Sequence, residues 1–297
     1  MVTTTPGHNS TASGGGSLRN VYELAVAGAL GAVFGLYLYV ELVDTPNLWR
    51  RDALAGVFLG GTLGYALNAA GPLRDGAWLK LFRASTWGAI AGAAGGAGGL
   101  VIGEIVLGGL KGGPMGRAVS WSILGLGIGL SQGLAERSRQ RLILGLIGGG
   151  LGGFVGGLSF ELLRDRIGST HRDLSQPLGV VILGAGLGLC LALVERALRR
   201  SWVTVVRGRQ EGRSYLLSGG RTGLGLDERA EVGLFGDPTV ARRHAAIEGT
   251  GRGFALRNLD PANSTRVNGI PVADKPRDLA DGDKIELGET VLVFRQR

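Results

Sequence analysis

Two short polar runs near the C-terminus carry the side chains best suited to binding an anion. The first run spans residues 237–245 and contains Arg242 and Arg243, and the second spans residues 258–269 and contains Ser264 and Thr265. Guanidinium and hydroxyl groups donate hydrogen bonds to oxyanions, and the bonds between charged groups are the stronger ones. The chemistry that these residue types support is therefore recognition of an anionic group rather than a reaction.

Other kinds of site lack the residues that they require. The Gly-rich run at residues 219–223 has no Lys-Ser/Thr and precedes strand-like sequence, so it does not fit a nucleotide-binding phosphate loop. His8, His171 and His244 are too scattered to predict a metal cluster. The single cysteine, Cys190, lies in an apolar run and is interpreted as a small buried hydrophobe. We expect no enzyme activity, no cofactor and no metal.

The last hundred residues consist of short strand-like segments separated by Gly, Asp and Pro turns. Several strands at about ten-residue spacing predict an all-β sandwich or barrel. The predicted strands are 202–207, 213–217, 222–226, 231–235, 244–248, 253–258, 265–268, 284–287 and 290–295.

Motifs throughout residues 201–297 resemble, in the same order, those of the forkhead-associated (FHA) family, β-sandwiches that bind phosphothreonine peptides. The motifs are Leu224-Gly225-Leu226, Glu231-Val232-Gly233-Leu234, Val240-Ala241-Arg242-Arg243-His244, Asn263-Ser264-Thr265, Val267-Asn268-Gly269 and Asp281-Gly282-Asp283-Lys284-Ile285-Glu286-Leu287-Gly288. The resemblance implies an FHA-like fold and a protein partner that carries phosphothreonine.

Two motif positions depart from the family pattern. Where the family has a ligand-contacting Arg and Ser, this sequence has Leu226 and Ala241, whose side chains donate no hydrogen bond. Charge-assisted bonds to phosphate contribute about 1.5–3 kcal/mol each, so losing two weakens binding by on the order of 10² to 10⁴. Two hypotheses follow. The domain is either a phosphothreonine receptor that uses other donors, or a sandwich that binds protein without phosphate or self-associates.

The remaining family positions define the candidate site. The resemblance implies ligand or peptide contacts for one set of residues, namely Gly225, Arg242, Arg243, Asn263, Ser264 and Thr265. It implies structural roles for His244, which braces the binding loops in the family, and for Asn268 and Gly269. The Asn-Gly pair is most simply a turn between two strands.

Residues 21–200 contain six apolar runs, which predict an all-α membrane bundle. Each run is long enough to cross a hydrocarbon core of about 30 Å as a helix. The runs are about 24–43, 53–72, 84–110, 118–135, 142–163 and 178–195. Polar residues 1–20 are expected to form a disordered tail. The predicted fold class is therefore a six-helix membrane bundle followed by an FHA-like sandwich at 201–297.

Glycines recur every four residues in these runs, which places each series on one helix face and lets two backbones approach closely. We expect this packing inside one bundle, and packing between subunits of a homo-oligomer is the alternative. Similar segments also recur at about 60-residue spacing, which predicts three tandem helical hairpins. The recurring segments are Phe58-Leu59-Gly60, Ile123-Leu124-Gly125 and Ile182-Leu183-Gly184, with Glu41, Glu104 and Glu161 near the ends of the odd-numbered runs.

The net charge of +8 is concentrated in the short segments between apolar runs. Lys and Arg in such loops orient membrane proteins, so the basic composition is explained by topology and predicts no nucleic-acid partner. The charge bias predicts a multi-pass protein of the cell membrane with both termini in the cytoplasm. Arg196, Arg199 and Arg200 follow the sixth run, where they could contact the headgroups of the lipid bilayer.

These observations predict a membrane-anchored signalling module. Its FHA-like domain would recruit a protein partner to the cytoplasmic face, with weakened or absent phosphothreonine recognition. The alternative is an ion or small-solute transporter or channel regulated by that domain, because transporters often contain repeated hairpins. Glu41, Glu104 and Glu161 are the acidic groups of such a path, although we interpret them as carboxylates near the headgroup level.

Overall fold

The computed structural model describes residues 12–109, 114–136, 139–167, 172–198, 201–217, 220–251, 253–273 and 275–297. These residues form six helices followed by eleven strands. The chain divides into two compact units, of which one is helical and runs from Asn20 to Leu198. The other contains the strands and is called the sandwich below. The prediction of six helices followed by a β-sandwich is confirmed.

The six helices follow the apolar runs but begin and end at different residues. Helix α1 begins at Ala12, so the part of the expected disordered tail from Ala12 onwards is helical, and residues 1–11 lie outside the description. The helices are α1 Ala12–Leu42, α2 Leu48–Asp75, α3 Trp78–Gly109, α4 Pro114–Glu136, α5 Arg139–Ile167 and α6 Arg172–Leu198.

Capping residues explain where α2 begins and where it ends. Asn47 precedes the helix, and its side-chain oxygen accepts a hydrogen bond from the Arg50 amide at 3.1 Å. Gly76 ends it in the left-handed conformation, with a φ of 67°, which glycine adopts without a steric penalty.

Five of the described helices are long and apolar enough to cross a membrane, judged by length and composition. The exception is α4, whose apolar segment, Ala118–Ser131, is shorter. The length and hydropathy of these five helices therefore fit a membrane-embedded bundle. The apolar segment of α4 fits this interpretation less well because it is shorter.

Glycines bring neighbouring helices into backbone contact. A methyl group added at Gly60 would overlap the carbonyl group of Gly92, and one added at Gly125 would overlap that of Gly149. Gly184 of α6 meets Gly28 of α1 in the same way, so α6 contacts α1. These glycine faces are therefore occupied by partners inside the chain. Packing between subunits through such faces stays a prediction.

The remaining neighbours also touch, which closes the six helices into a ring. Gly35 of α1 packs on Leu59 of α2, Gly99 of α3 on Leu124 of α4, and Gly156 of α5 on Leu183 of α6. The three recurring sequence segments therefore occupy equivalent places, as expected for three tandem hairpins.

The contacts also fix the register of the repeat. Gly28, Gly92 and Gly149 are equivalent because each faces the glycine of the recurring segment in a neighbouring hairpin. Twelve residues further along lie Val40, Glu104 and Glu161. Glu41 is one position out of register, so the three glutamates do not form an equivalent set. Glu161 is buried, with 5% exposure, and the Glu104 side chain lies outside the description.

Apolar side chains from the even-numbered helices fill the centre of the ring. One continuous cluster of buried residues includes Leu59, Leu63, Leu124, Ile128, Leu183 and Leu187, each at most 5% exposed. Asn68 of α2 adds a polar link, because its side-chain amide donates to the Ser131 hydroxyl of α4 at 2.9 Å.

The sandwich consists of two packed sheets. The strands are β1 Ser201–Arg207, β2 Ser214–Leu216, β3 Arg221–Gly225, β4 Val232–Gly233, β5 Ala245–Thr250, β6 Gly253–Asn258, β7 Thr265–Val267, β8 Ile270–Pro271, β9 Arg277–Leu279, β10 Lys284–Leu287 and β11 Thr290–Gln296. One sheet has the order β2-β1-β11-β10-β7-β8 and the other β4-β3-β5-β6-β9. Nine of these strands overlap the predicted ones, and β8 and β9 are additional.

The core of the sandwich follows the two-residue period of its strands. Val203 and Val205 of β1 and Leu292 and Phe294 of β11 are fully buried, and they alternate with partly exposed neighbours. Asn268 and Gly269 join β7 to β8 with φ angles of 54° and 78°, the positive values that two-residue hairpin turns require.

Candidate functional site

Three loops of the sandwich carry the motif residues, namely β3–β4 (226–231), β4–β5 (234–244) and β6–β7 (259–264). Backbone hydrogen bonds join them. The amides of Leu226 and Asp227 donate to the carbonyl groups of Ala241 and Arg242, each at 3.0 Å. The amide of Leu259 donates to the carbonyl group of His244 at 3.0 Å. The fold thus brings together loops whose residues are up to 38 positions apart in the sequence.

Gly225 allows this close approach. It is buried at the end of β3, and a methyl group there would overlap the carbonyl oxygen of Arg242. Close backbone packing is therefore enough to explain why this position is a glycine. A direct ligand contact by Gly225 stays a prediction.

His244 lies inside the junction of the three loops. Its side chain is fully buried, and its Nδ1 accepts a hydrogen bond from the Ala241 amide at 3.1 Å. Burial lowers the His244 pKa, against smaller opposing effects of the Ser264 backbone and of the Asp260 and Asp237 charges. A buried neutral imidazole that joins two loops fits the structural role that the resemblance implies.

Thr265, the first residue of β7, follows the third loop and is buried. This residue is 1% exposed, and its hydroxyl donates to the Asn258 side-chain oxygen at 3.0 Å. Its hydroxyl is engaged inside the sandwich, and a ligand contact by Thr265 stays a prediction. Ser264 is exposed, and the half-buried Asn263 donates from its amide to Asp260 at 2.9 Å.

Leu226 and Ala241, which replace the family's Arg and Ser, contribute little to the ligand-facing surface. Leu226 is partly buried and packs against the hydrophobic core. Ala241 is also partly buried, and its amide is used by His244. The side chains of Leu226 and Ala241 therefore contribute to packing within and beneath the loops.

A second polar junction, centred on Asp237, has no motif in the sequence that predicts it. This carboxylate accepts hydrogen bonds from the Thr239 amide at 3.0 Å, the Glu289 amide at 3.0 Å and the Thr290 hydroxyl at 2.8 Å, and also from the Thr239 hydroxyl. Burial acts to raise the Asp237 pKa, but the hydrogen bonds from Thr239, Thr290 and Glu289 outweigh it, so the pKa is lowered. Asp237 therefore ties the β4–β5 loop to the β10–β11 turn.

Arg242 and Arg243 are exposed and line one side of a pocket of about 300 Å³. Strand β3 contributes Arg221 and Gly223, and the β3–β4 loop contributes Arg229. The resemblance assigns no ligand contact to the position of Arg229, so only the folded chain places this residue beside Arg242 and Arg243.

With this geometry in place, known proteins provide an independent comparison. Residues 204–297 match the family model described as "Inner membrane component of T3SS, cytoplasmic domain". The FHA domain-containing protein FhaA of Mycobacterium tuberculosis is 38% identical over 84 residues, which cover 28% of this chain and 15% of FhaA. The oxoglutarate dehydrogenase inhibitor of Corynebacterium jeikeium is 30% identical over 134 residues, which cover 45% of this chain and 81% of that protein.

The chain belongs to the FHA-domain family. The glycogen accumulation regulator GarA of Mycolicibacterium smegmatis is 35% identical over 92 residues, which cover 31% of this chain and 56% of GarA. A solved structure from work on phosphothreonine-dependent FHA domain interactions is 34% identical and covers 33% of this chain and 97% of that one, with a TM-score of 0.30. The chain spans about one seventh of FhaA and about half of GarA. The predicted FHA domain is confirmed.

Proposed function

We propose that this chain is a membrane-anchored protein-binding module, whose FHA domain holds a segment of a partner with little dependence on phosphate. The observation that carries the proposal is the chemistry of the three motif loops. Leu226 and Ala241 offer no side-chain donor, whereas Arg242 and Ser264 are exposed in the same loops. Such a surface can bind a peptide while contributing few of the hydrogen bonds that select phosphothreonine.

The anchor in this proposal is the helical unit. Its long apolar helices fit a bilayer, and the loop charges of the sequence favour termini in the cytoplasm. The sandwich would then act at the inner surface of the membrane. The relative named oxoglutarate dehydrogenase inhibitor acts, by its name, on an enzyme, which supports a protein as the partner here.

Transport is the competing function, and the three-hairpin repeat is the observation that favours it. The apolar centre of the ring, formed by residues such as Leu63, Ile128 and Leu187, favours an anchor instead, because ions require polar groups along their path. Flux of an ion into liposomes that carry the full chain, abolished by Glu161→Gln, would reverse this preference.

The proposal is tested with the full chain in nanodiscs of neutral lipid. Binding is measured for two peptide libraries that differ only in a central threonine or phosphothreonine, at fixed salt. We expect the phosphorylated library to be preferred by no more than about tenfold, since two charge-assisted donors are absent.

Restoring the donors should sharpen the preference. The double variant Leu226→Arg/Ala241→Ser is expected to raise affinity for the phosphorylated library by on the order of 10² to 10⁴. The variant Val206→Arg/Ala273→Ser introduces the same two side chains at exposed positions outside the motif loops and should have no such effect. A wild-type chain that already prefers phosphothreonine by a hundredfold, or that binds neither library, would contradict the proposal.

A further inference from the structure

The six-stranded sheet carries an apolar patch on the face that points away from the core of the sandwich. The two-residue period of β1 and β11 directs Val203 and Phe294 inward, so the residues next to them face outward. The outward apolar side chains are partly buried except Val206, which is 38% exposed at the register shift of β1. The apolar patch consists of Trp202, Val206, Leu216, Val291 and Val293.

Cations surround the apolar patch on the same face. The outward cations of these strands, all of them exposed, are Arg207, Arg266, Lys284 and Arg295. Glu286, which pairs in register with Arg266, is the one outward carboxylate on the described strands of this sheet. The guanidinium group of Arg297 adds a further positive charge 5.8 Å from the centre of the Trp202 ring. The face is therefore strongly basic as well as apolar.

Most of this positive charge has no partner inside the sandwich. Among the described residues, the side chains of Arg207, Arg266 and Lys284 make no hydrogen bond and no ion pair. Arg295 is loosely paired, because its guanidinium nitrogen lies 3.5 Å from the Asp281 carboxylate and both side chains are about half exposed. The charge of this face is therefore available to an anionic surface.

The outward face of the five-stranded sheet differs in both respects. Its charged residues are Arg221, Glu248, Arg257 and Asp278, one on each of four neighbouring strands. The Glu248 carboxylate lies 3.8 Å from the Nε of Arg221 and 3.2 Å from that of Arg257. The residues between them on β3, β5 and β6 are small, namely Gly223, Ala246 and Ala255. This second face is electrically balanced and carries no comparable apolar patch on those strands.

A basic face with a central tryptophan fits the surface of an anionic bilayer. Tryptophan rings are enriched at the level of the lipid headgroups, where one part of the ring is apolar and another is hydrated. Each Lys or Arg close to an anionic membrane strengthens binding by about fivefold. A second copy of the same face is a poor partner, because the unpaired cations of the two copies would repel each other.

The length of chain before β1 also favours a bilayer. Helix α6 ends at Leu198 and β1 begins at Ser201, so two residues connect them. An extended chain spans at most about 3.6 Å per residue, which limits this connection to about 11 Å. A short connection makes docking on the membrane an intramolecular event, for which a weak attraction is sufficient. A soluble partner does not have this advantage.

We propose that this outer face of the six-stranded sheet docks on an anionic bilayer. Trp202 and Val206 lie at the headgroup level in the docked state, and the cations around them contact the acidic headgroups. This inference rests on the membrane anchor of the proposed function and adds a second, reversible attachment that depends on lipid charge. Two of the motif loops, β3–β4 and β4–β5, connect strands of the other sheet and stay available to a protein partner.

The test uses the full chain in nanodiscs of phosphatidylcholine with or without phosphatidylserine. Cys190→Ala removes the single native thiol, and an introduced cysteine then carries a fluorophore. Val206→Cys places the fluorophore on the proposed face, and Thr250→Cys places it at an exposed position on β5 of the other sheet. Lipids with a spin-labelled headgroup quench a fluorophore that lies at the bilayer surface, so quenching reports the docked fraction.

Phosphatidylserine should increase the quenching at Val206→Cys and leave that at Thr250→Cys unchanged. The double variant Arg266→Gln/Lys284→Gln removes two unpaired cations from the face. At about fivefold for each cation, the equilibrium between docked and undocked states should fall by about 30-fold. Salt at about 1 M shortens the Debye length to about 3 Å and should abolish the response to phosphatidylserine.

The matched control is Arg221→Gln/Arg257→Gln, which removes the same charge from the other sheet. It should leave the quenching at Val206→Cys unchanged. Equal losses in the two double variants would show that the net charge of the sandwich acts rather than this face, and would overturn the proposal. Quenching at Val206→Cys that does not respond to phosphatidylserine would also overturn it.

Other occupants of the face give distinct results in discs of phosphatidylcholine alone. Protection of the Val206→Cys fluorophore from a water-soluble quencher, increasing with the number of chains in each disc, would assign the face to a second copy. Protection by added duplex DNA would assign it to nucleic acid. Either result, without a response to phosphatidylserine, overturns bilayer docking.

Entry of the chain into nanodiscs separates the two proposals. A chain that does not enter the discs would contradict the membrane anchor and with it the proposed function. A chain that enters the discs and binds the peptide libraries, but shows no response to phosphatidylserine, would overturn the docking face alone.

Discussion

The helical unit and the sandwich both depend on glycine, but for different physical reasons. In the helical unit, Gly60 and Gly92 are required because a side chain would occupy the space of a neighbouring backbone. In the sandwich, Gly269 and Gly288 are required by their φ angles of 78° and 61°, which other residues adopt at a cost. The comparison shows that one residue type can serve the packing of helices in one region and the turning of the chain in another.

The two units also differ in what holds their parts together. Described contacts between helices are mostly backbone and apolar surfaces, with Asn68 to Ser131 as one polar link. In the sandwich, buried polar groups such as Asp237 and His244 join the loops to one another and to the neighbouring turn. Substitutions in the two units should therefore act through different mechanisms and with different magnitudes.

The largest effect is expected for Gly92→Val in α3. The added side chain must occupy the position of the Gly60 carbonyl group, and a backbone yields less easily than a side chain. Overpacking of this kind should lower the free energy of unfolding by about 3 kcal/mol or more. Thermal unfolding of the chain in detergent, followed by circular dichroism, measures the loss.

Gly98→Val is the matched control for this change, because the same helix offers open space at Gly98. This substitution makes the same change in helix propensity, but the added side chain meets no neighbouring atom. Equal destabilisation by Gly92→Val and Gly98→Val would show that glycine contributes through propensity and not through close packing.

An intermediate effect is expected for Asp237→Asn in the sandwich. The substitution removes the charge that accepts hydrogen bonds from Thr239, Glu289 and Thr290. Loss of charge-assisted bonds should cost about 1.5–3 kcal/mol. Hydrogen exchange of the β1 and β11 backbone amides in the full chain, followed at increasing denaturant, reports on this unit. Asp278→Asn, at an exposed position on β9, is the control.

Acid should produce the same loss in the unaltered chain. Because the folded state lowers the Asp237 pKa, the carboxylate stabilises the sandwich fully above its unfolded value of about 3.9. That contribution is lost as the pH falls through the lower pKa of the folded state. The difference in stability between wild type and Asp237→Asn should therefore shrink on acidification below about pH 4, and a difference that stays constant would contradict the assigned ionisation.

The smallest effect is expected for the polar link between α2 and α4. Hydrogen bonds between membrane helices contribute about 0.6 kcal/mol on average. A double-mutant cycle of Asn68→Ala and Ser131→Ala should give a coupling energy of this size. A coupling of several kcal/mol would show that the helical unit, like the sandwich, is held by polar groups.

The order of the helices and strands could be predicted from the sequence because it depends on local residue patterns. Six apolar runs predicted six helices, and Leu59, Leu124 and Leu183 marked equivalent positions in three hairpins. The turn at Asn268-Gly269 follows from residue types that tolerate positive φ. The exact register of the hairpins was not predictable, since Glu41 resembles Glu104 and Glu161 in sequence but lies one position away in the packed ring.

Sequence alone was enough to predict the two-part organisation, the FHA family of the second part and the absence of donors at Leu226 and Ala241. These depend on residue identity, period and motif order, which a single chain displays directly. The packed fold was needed to show that Thr265 faces inward, that Asp237 ties the β4–β5 loop to the β10–β11 turn, and that Arg229 shares a pocket with Arg242 and Arg243. Direction and proximity of side chains depend on contacts between residues distant in sequence, which no local pattern specifies.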